Sequence, residues 1–258
     1  MQVRERRLKL TSNQGESLTG ILVDELNELG LPNMAATLDA LYHSSSFLQM
    51  DRLALVSELI TAEYQDKISK RFNNRLRHAR LIGCPCEINE CSDSGVREYL
   101  PNGITEVLSS TAFIRDGLNV CILGPSDSGK TYLAKALGIV ACHKYKTEYH
   151  HCEMFLEDLV GLNAQDHDKF LRRLKLISKL DLLILDDFLL HTIVNESEVK
   201  MLFMVLEARC ESEKSTIVCS QREPKSWASM ILNDEVSANA IIKRATKHYT
   251  VVINVKER

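Results

Sequence analysis

Apolar positions along this chain change their spacing near residue 104, and the change divides the chain in two. Before it the spacing is helical. Leu22, Leu26 and Leu29 fall on one face, and Gly30-Leu31-Pro32 supplies a stop. Met34, Leu38, Leu41 and Tyr42 make a second stripe, broken by His43-Ser44-Ser45-Ser46. From Asp51 or a neighbour a longer stripe runs through Val56, Leu59 or Ile60, Tyr64, Ile68, Phe72, Leu76 and Ala79. It predicts a helix that packs along that face. Residues 1–17 are polar and read as a tail, and residues 18–82 as a small all-helical domain. Gly83, Pro85, Ser92, Ser94, Gly95, Pro101 and Gly103 mark residues 83–103 as a linker.

After residue 104 short apolar runs alternate with amphipathic stretches. Residues 118–123, 148–152, 182–185, 216–219 and 249–255 read as buried strands with helices between them. Such alternation predicts an α/β fold over residues 104–258: a parallel sheet with helices on both faces.

The strongest chemical signal sits on the first of these strands. Gly124-Pro125-Ser126-Asp127-Ser128-Gly129-Lys130-Thr131 fits G-x-x-x-x-G-K-[ST], with an apolar strand entering and a helix leaving. The glycines let backbone N–H groups curl around phosphate oxygens. A helix N-terminus adds the positive end of its dipole. Lys130 reaches the β- and γ-phosphates of a nucleotide, and Thr131 offers a hydroxyl to Mg²⁺. Asp127 is out of place, a carboxylate in a loop built for anions.

A second acidic site follows one strand and one helix later. Leu182-Leu183-Ile184-Leu185 ends in Asp186-Asp187, a Walker B pattern. The strand delivers Asp186 beside the Mg²⁺ held by Thr131, and Asp187 is placed to orient or activate the attacking water.

Composition narrows the class. The chain has 258 residues, 45% apolar and 26% charged, the profile of a globular protein. No apolar run reaches the length of a membrane span. The charged start MQVRERRLKL has no apolar segment behind it. Neither a span nor a secretory signal is expected, and a cytoplasmic location is. The eight cysteines then read as reduced thiols. Cys84, Cys86 and Cys91 fit no common zinc spacing.

With these motifs in place, the chain resembles the IstB/DnaC-like branch of AAA+ ATPases, closest to IstB-like transposition helpers. The resemblance rests on residues 124–131 and 182–188, on Ser215-Thr216-Ile217-Val218-Cys219-Ser220-Gln221 with Trp227, on Ala240-Ile241-Ile242-Lys243-Arg244, and on the stretch LNELGLPNMAA at 26–36. It implies a P-loop NTPase (AAA+) fold binding ATP and Mg²⁺, with ATPase activity. It implies that Gln221, or else Ser220, senses the γ-phosphate. Arg244 matches the family's arginine finger, which acts on a neighbouring subunit's nucleotide and so implies a homo-oligomer with ATP at subunit interfaces. Asp187 stands where many relatives carry glutamate, and Asp127 replaces a small residue, so hydrolysis is expected to be slow. The chain ends at Arg258 just after the fifth strand, so no C-terminal lid domain is expected.

Net charge is −3, yet cations cluster. Lys67, Lys70, Arg71, Arg75, Arg77 and Arg80 share one stretch without an acid, and Lys169, Arg172, Arg173, Lys175 and Lys179 another. Either is a solvated basic face or a track for the backbone of double-stranded DNA, with little base specificity since no recognition motif accompanies it. The resulting expectation is an ATP-dependent DNA-binding helper that recruits or stimulates a transposase. A DnaC-like loader docking on a helicase is the alternative, and a small-molecule kinase a third reading that lacks an acceptor pocket.

Overall fold

In the computed structural model, which describes residues 18–231 and 235–256, the chain divides into two units, residues 1–72 and 73–258. The tail expected at residues 1–17 lies outside the described residues. Among the described residues no helix is long and apolar enough to cross a membrane.

The first unit is helical. Helix α1 (Leu18–Glu28) stops where Gly30 takes a φ of +72°. That left-handed residue lets Leu31 N donate to Leu26 O at 2.9 Å and closes the helix end. Helix α2 (Pro32–Tyr42) then begins on the proline, whose missing N–H costs nothing there. Helix α3 (Arg52–His78) is capped by Asp51, whose Oδ2 accepts from Leu53 N at 2.9 Å and Ala54 N at 3.3 Å. Glu63 of α3 is buried and accepts from Asn33 N at 3.0 Å and Met34 N at 3.3 Å, a carboxylate at the positive end of α2. The stripe expected to pack along α3 does not do so over its first half: Val56, Ile60, Tyr64 and Ile68 are exposed.

The second unit carries the sheet. Its elements are β1 (Arg97–Leu100), α4 (Ile104–Ser109), α5 (Ala112–Arg115), β2 (Val120–Leu123), α6 (Lys130–Ala141), β3 (Thr147–His151), α7 (Cys152–Gln165), α8 (His167–Ser178), β4 (Leu182–Asp186), α9 (Glu196–Glu211), β5 (Ser215–Ser220), α10 (Pro224–Trp227), α11 (Glu235–Ala245) and β6 (Tyr249–Val255). The strand order is β1-β6-β2-β5-β4-β3. All neighbours are parallel except β1, which runs antiparallel to β6. The five parallel strands are those expected, with ends displaced by a residue or two. Every residue of β2, β4 and β5 is buried, as parallel strands covered on both faces require. Cys121, Leu183, Leu185 and Val218 join Phe155, Phe170 and Leu202 of α7, α8 and α9 in one apolar cluster. Ile184 points to the opposite face, where its Cδ1 would lie 2.8 Å from a Cβ on Gly138 of α6.

Residues 83–103 are more than the linker expected of them, because β1 lies within them and adds a sixth strand at the sheet edge. The strand is short and only Tyr99 is buried, so no apolar run announces it.

One buried cation ties the sheet to its helices. Arg209 of α9 is 1% exposed. It donates to Thr216 Oγ1 at 2.9 Å, to Ile177 O at 2.6 Å, to Leu180 O at 3.1 Å and to Ser215 O. Burial pulls its pKa down to about 9, with Asp181 and Glu148 pulling the other way. Arg209→Met fills the space but leaves three buried carbonyls without this donor. Urea denaturation should show a loss of roughly 3 kcal/mol or more; a loss below about 1 kcal/mol would mean that water replaces the guanidinium.

Candidate nucleotide-binding site

Strand β2 is flanked by β5 and β6, and the chain leaves its C-terminal end into the phosphate loop. In open parallel sheets this position, where connections run off in both directions, is where ligands bind. The first residue of the loop has no room for a side chain. A Cβ on Gly124 would lie 2.6 Å from Ser128 Oγ and 2.8 Å from the backbone oxygen of Ile253. Asp127 and Gly129 take φ values of +58° and +100°, which turn the chain back so that α6 starts at Lys130. Ser128 N donates to Pro125 O at 3.3 Å. Ser128 Oγ is buried without a hydrogen-bond partner among the described residues.

Lys130 is 6% exposed and its ammonium donates to Pro125 O at 2.6 Å. Burial lowers its pKa, and the carboxylates of Asp186, Asp187 and Asp127 oppose the shift. The ammonium thus sits ready to exchange a loop carbonyl for a phosphate oxygen. A cavity of about 470 Å³ opens over it, lined among others by Ser126, Gly129, Thr131, Asp187 and Gln221. A glycine cradle, a helix N-terminus, a poorly solvated lysine and a free hydroxyl suit a polyphosphate.

The acidic tip of β4 holds two carboxylates in different settings. Asp186 is 1% exposed; its Oδ2 accepts from Tyr149 Oη at 2.6 Å and its Oδ1 from Asp187 N at 3.0 Å. Burial, then the neighbouring Asp186, raises the Tyr149 pKa, so the phenol stays a donor. Lys135 Nζ lies 4.9 Å from the centre of the Tyr149 ring. Asp187 takes a φ of +52° and turns out to the cavity, where its Oδ2 lies 3.5 Å from His151 Nδ1.

Of the two sensor candidates, Gln221 lines the cavity. Ser220 is buried and its Oγ accepts from Arg222 N at 3.2 Å. Arg244 is not among the residues lining the cavity of its own chain. It pairs with Glu207, lies 5.2 Å over the Phe203 ring, and donates to Ala240 O at 3.0 Å.

Sequence reasoning missed four contributors. Tyr149 and His151 stand on β3, read only as a buried strand, yet alternate residues of a strand end can face a neighbouring strand's acids. Cys86 and Tyr132 line the same cavity as Asp187. Tyr132 Oη is bonded to Glu90 and accepts from Glu87 N at 3.1 Å, so the presumed linker lies on the first turn of α6. Burial pushes the Cys86 thiol up, away from the thiolate.

Two cations read as facing DNA have other work. Arg75 donates to Cys142 O at 3.3 Å and His143 O at 2.6 Å, at the negative end of α6. Arg173 forks onto Glu148 at 3.0 and 2.6 Å. Burial alone would raise the Glu148 pKa, but its bonds to His150 and Arg173 bring it to about 2. Lys67 and Lys70 meet Glu63 and Asp66 at 3.5 and 2.7 Å, acids one helical turn earlier, and Arg77 donates to Asn74 Oδ1 at 3.0 Å. Arg71, Arg80 and Arg172 are exposed.

The family model for IstB-like ATP-binding proteins matches residues 24–258. The chain is similar to the insertion sequence IS232 putative ATP-binding protein of Bacillus thuringiensis subsp. berliner, 34% identical over 55% of this chain and 56% of that protein. It is similar to the insertion sequence IS21 putative ATP-binding protein of Pseudomonas aeruginosa, 26% identical over 90% of this chain and 84% of that one. A putative insertion sequence ATP-binding protein of Sinorhizobium fredii, y4uH, is 31% identical over 85% of this chain and 86% of its own length. Among solved structures, the DnaC helicase loader matches with a TM-score of 0.53 at 18% identity, over 68% of this chain and 99% of that one. The replication initiator DnaA bound to AMPPCP and single-stranded DNA matches at 0.54 and 19% identity, over 68% of this chain and 51% of that one. The fold is therefore that of the P-loop AAA+ proteins.

Gly124→Ala tests the cradle. The new methyl must displace either the Ser128 side chain or the backbone of β6. Titration with a fluorescent ATP analogue should show at least about tenfold weaker binding, with the far-ultraviolet dichroism of a folded chain. Unchanged affinity would mean that the loop is looser than its geometry implies.

Proposed function

The chain belongs to the family of IstB-like ATP-binding proteins, and from that premise we propose that it is an ATP-dependent, DNA-binding accessory ATPase of transposition. One observation carries the reading: the phosphate loop, Asp187 and Gln221 surround a single cavity. The relatives named as insertion sequence ATP-binding proteins supply the setting.

Each residue has a role that follows from its place. The loop amides and Lys130 bind the phosphates, Lys130 giving up Pro125 O to do so. Thr131 and Asp186 would hold Mg²⁺, which would supply positive charge to offset that of the phosphates. Tyr149 keeps one Asp186 oxygen aligned, the second-sphere support that metal-binding carboxylates use. Asp187 orients the attacking water, and its short side chain is consistent with slow turnover. Gln221 reports the γ-phosphate. Arg244 leaves Glu207 to reach the nucleotide of a neighbouring copy, so ATP at the interface holds a homo-oligomer together.

DNA is bound in this reading by its phosphates. Arg71, Arg80, Arg172 and Arg77, together with Lys70 and Lys169 when their pairs with Asp66 and Asp166 open, provide the cations, and Lys67 adds its charge beside the buried Glu63. Surface pairs of this kind are weak, roughly 0–1 kcal/mol, and phosphate displaces their carboxylates readily. The assembly on DNA recruits or stimulates a transposase, and hydrolysis dissolves it. ATP then acts as a ligand with higher affinity for the assembled state.

The test is particle mass and DNA affinity with and without ATP. ATP should enlarge the particle by multiples of the chain mass and tighten DNA binding by about tenfold or more, with a steep loss on added salt. Arg244→Ala should bind ATP as the parent does and turn it over at least about 100-fold more slowly. Equal mass and equal DNA affinity in both conditions would overturn the switch.

A further inference from the structure

The strand that the sequence concealed brings a cation to the phosphate loop. Its backbone is fixed from both sides. Asp93 Oδ1 accepts from Tyr99 N at 2.7 Å, and Ser94 Oγ accepts from Arg97 N at 3.0 Å. Ser94 N donates to Arg97 O at 2.8 Å, and Lys256 N to Val96 O at 2.9 Å. Arg97 itself is in register with Val255 of β6.

From this anchored position the Arg97 side chain lies across the outside of the loop. Its Nε, Cζ and Cδ are 3.5, 3.7 and 3.8 Å from the point that a Cβ on Gly129 would occupy. Its Nη2 donates to Asp127 O at 3.4 Å. These contacts fall on Asp127 and Gly129, the two loop residues with left-handed backbone, φ +58° and +100°. A non-glycine residue in that region is strained and persists only where its surroundings hold it. The loop's amides converge on one point only while both residues keep that conformation. Asp127 adds an electrostatic problem, since it puts a carboxylate on the lining of a cavity suited to anions. A guanidinium against the same turn opposes it.

We propose that Arg97 is a positioning residue of the phosphate loop. It clamps the turn at residues 127–129 in the shape that receives polyphosphate, and its charge offsets that of Asp127. The proposal rests on the nucleotide-binding reading of the loop. The rival role is that of a charged residue guarding a sheet edge, which needs no contact with the loop.

Arg97→Ala, Arg97→Lys, Asp127→Asn and the Arg97→Ala/Asp127→Asn double variant separate the two roles in the full chain. The readouts are the Kd for Mg-ATP, KM and kcat, and the melting temperature without nucleotide. Arg97→Ala should weaken Mg-ATP binding about threefold to tenfold and raise KM alike, with kcat within about twofold. Melting should not move, and Arg97→Lys should recover part of the affinity. In the Asp127→Asn background the loss should shrink, because the charge to be offset is gone. Arg97→Ala that binds Mg-ATP as the parent does would overturn the proposal. So would a variant that melts earlier and loses the same affinity whether residue 127 is Asp or Asn, which is the edge-guard result. A parent chain that takes up no Mg-ATP would defeat the reading of the loop, and this proposal with it.

Discussion

Where β2 ends, the backbone of Gly124 touches β6 so closely that a methyl group would lie 2.8 Å from the Ile253 carbonyl oxygen. That contact sets the loop's path. The chain cannot leave along the sheet and must turn back over its own carbonyls, and it does so by placing Asp127 and Gly129 in left-handed conformations. Helix α6 therefore starts above the strand ends with its N–H groups facing the cavity, and Lys130 starts it nearly stripped of water. The rest of the site is arranged around that fixed, positively charged helix end. β4 brings two carboxylates, β5 brings Gln221, and β3 supports the carboxylates from behind.

The two adjacent aspartates show how backbone conformation gives neighbouring carboxylates different settings. Asp186 is still in extended strand, is buried, and has an oxygen on each side engaged by Tyr149 and by the next amide. Its orientation is determined before any ligand arrives. Asp187 has left the strand with a positive φ and meets His151 at the cavity edge. A carboxylate in that position can shift by a rotamer without disturbing the sheet, as a group that orients water requires.

The turn at residues 124–131 was legible in the sequence because its geometry is local: eight consecutive residues contain all the backbone freedom that it needs. The parallel strands were legible for a similar reason, since full burial demands continuous apolar runs. What the sequence hid was set by partners distant along the chain. β1 has a single buried residue among glycines and serines, and only its pairing with β6 makes it a strand. Arg75 and Arg173 look like their basic neighbours until His143 and Glu148 are brought to them. Arg209 reads as one more charge on a helix, and its burial depends on carbonyls contributed by α8 and β5. The exposed stripe of α3 shows the converse: helical spacing gives the face, not the presence of something to cover it.

The central claim is that Lys130 and the amide-lined turn before it hold a nucleotide polyphosphate, with magnesium shared between Thr131 and Asp186. Isothermal titration of the full chain with ATP, with and without magnesium and beside Lys130→Ala, tests it most directly. The account predicts one nucleotide per chain, binding weakened by about tenfold or more without the metal, and no measurable heat with Lys130→Ala. Lys130→Ala that binds Mg-ATP as tightly as the parent would contradict it.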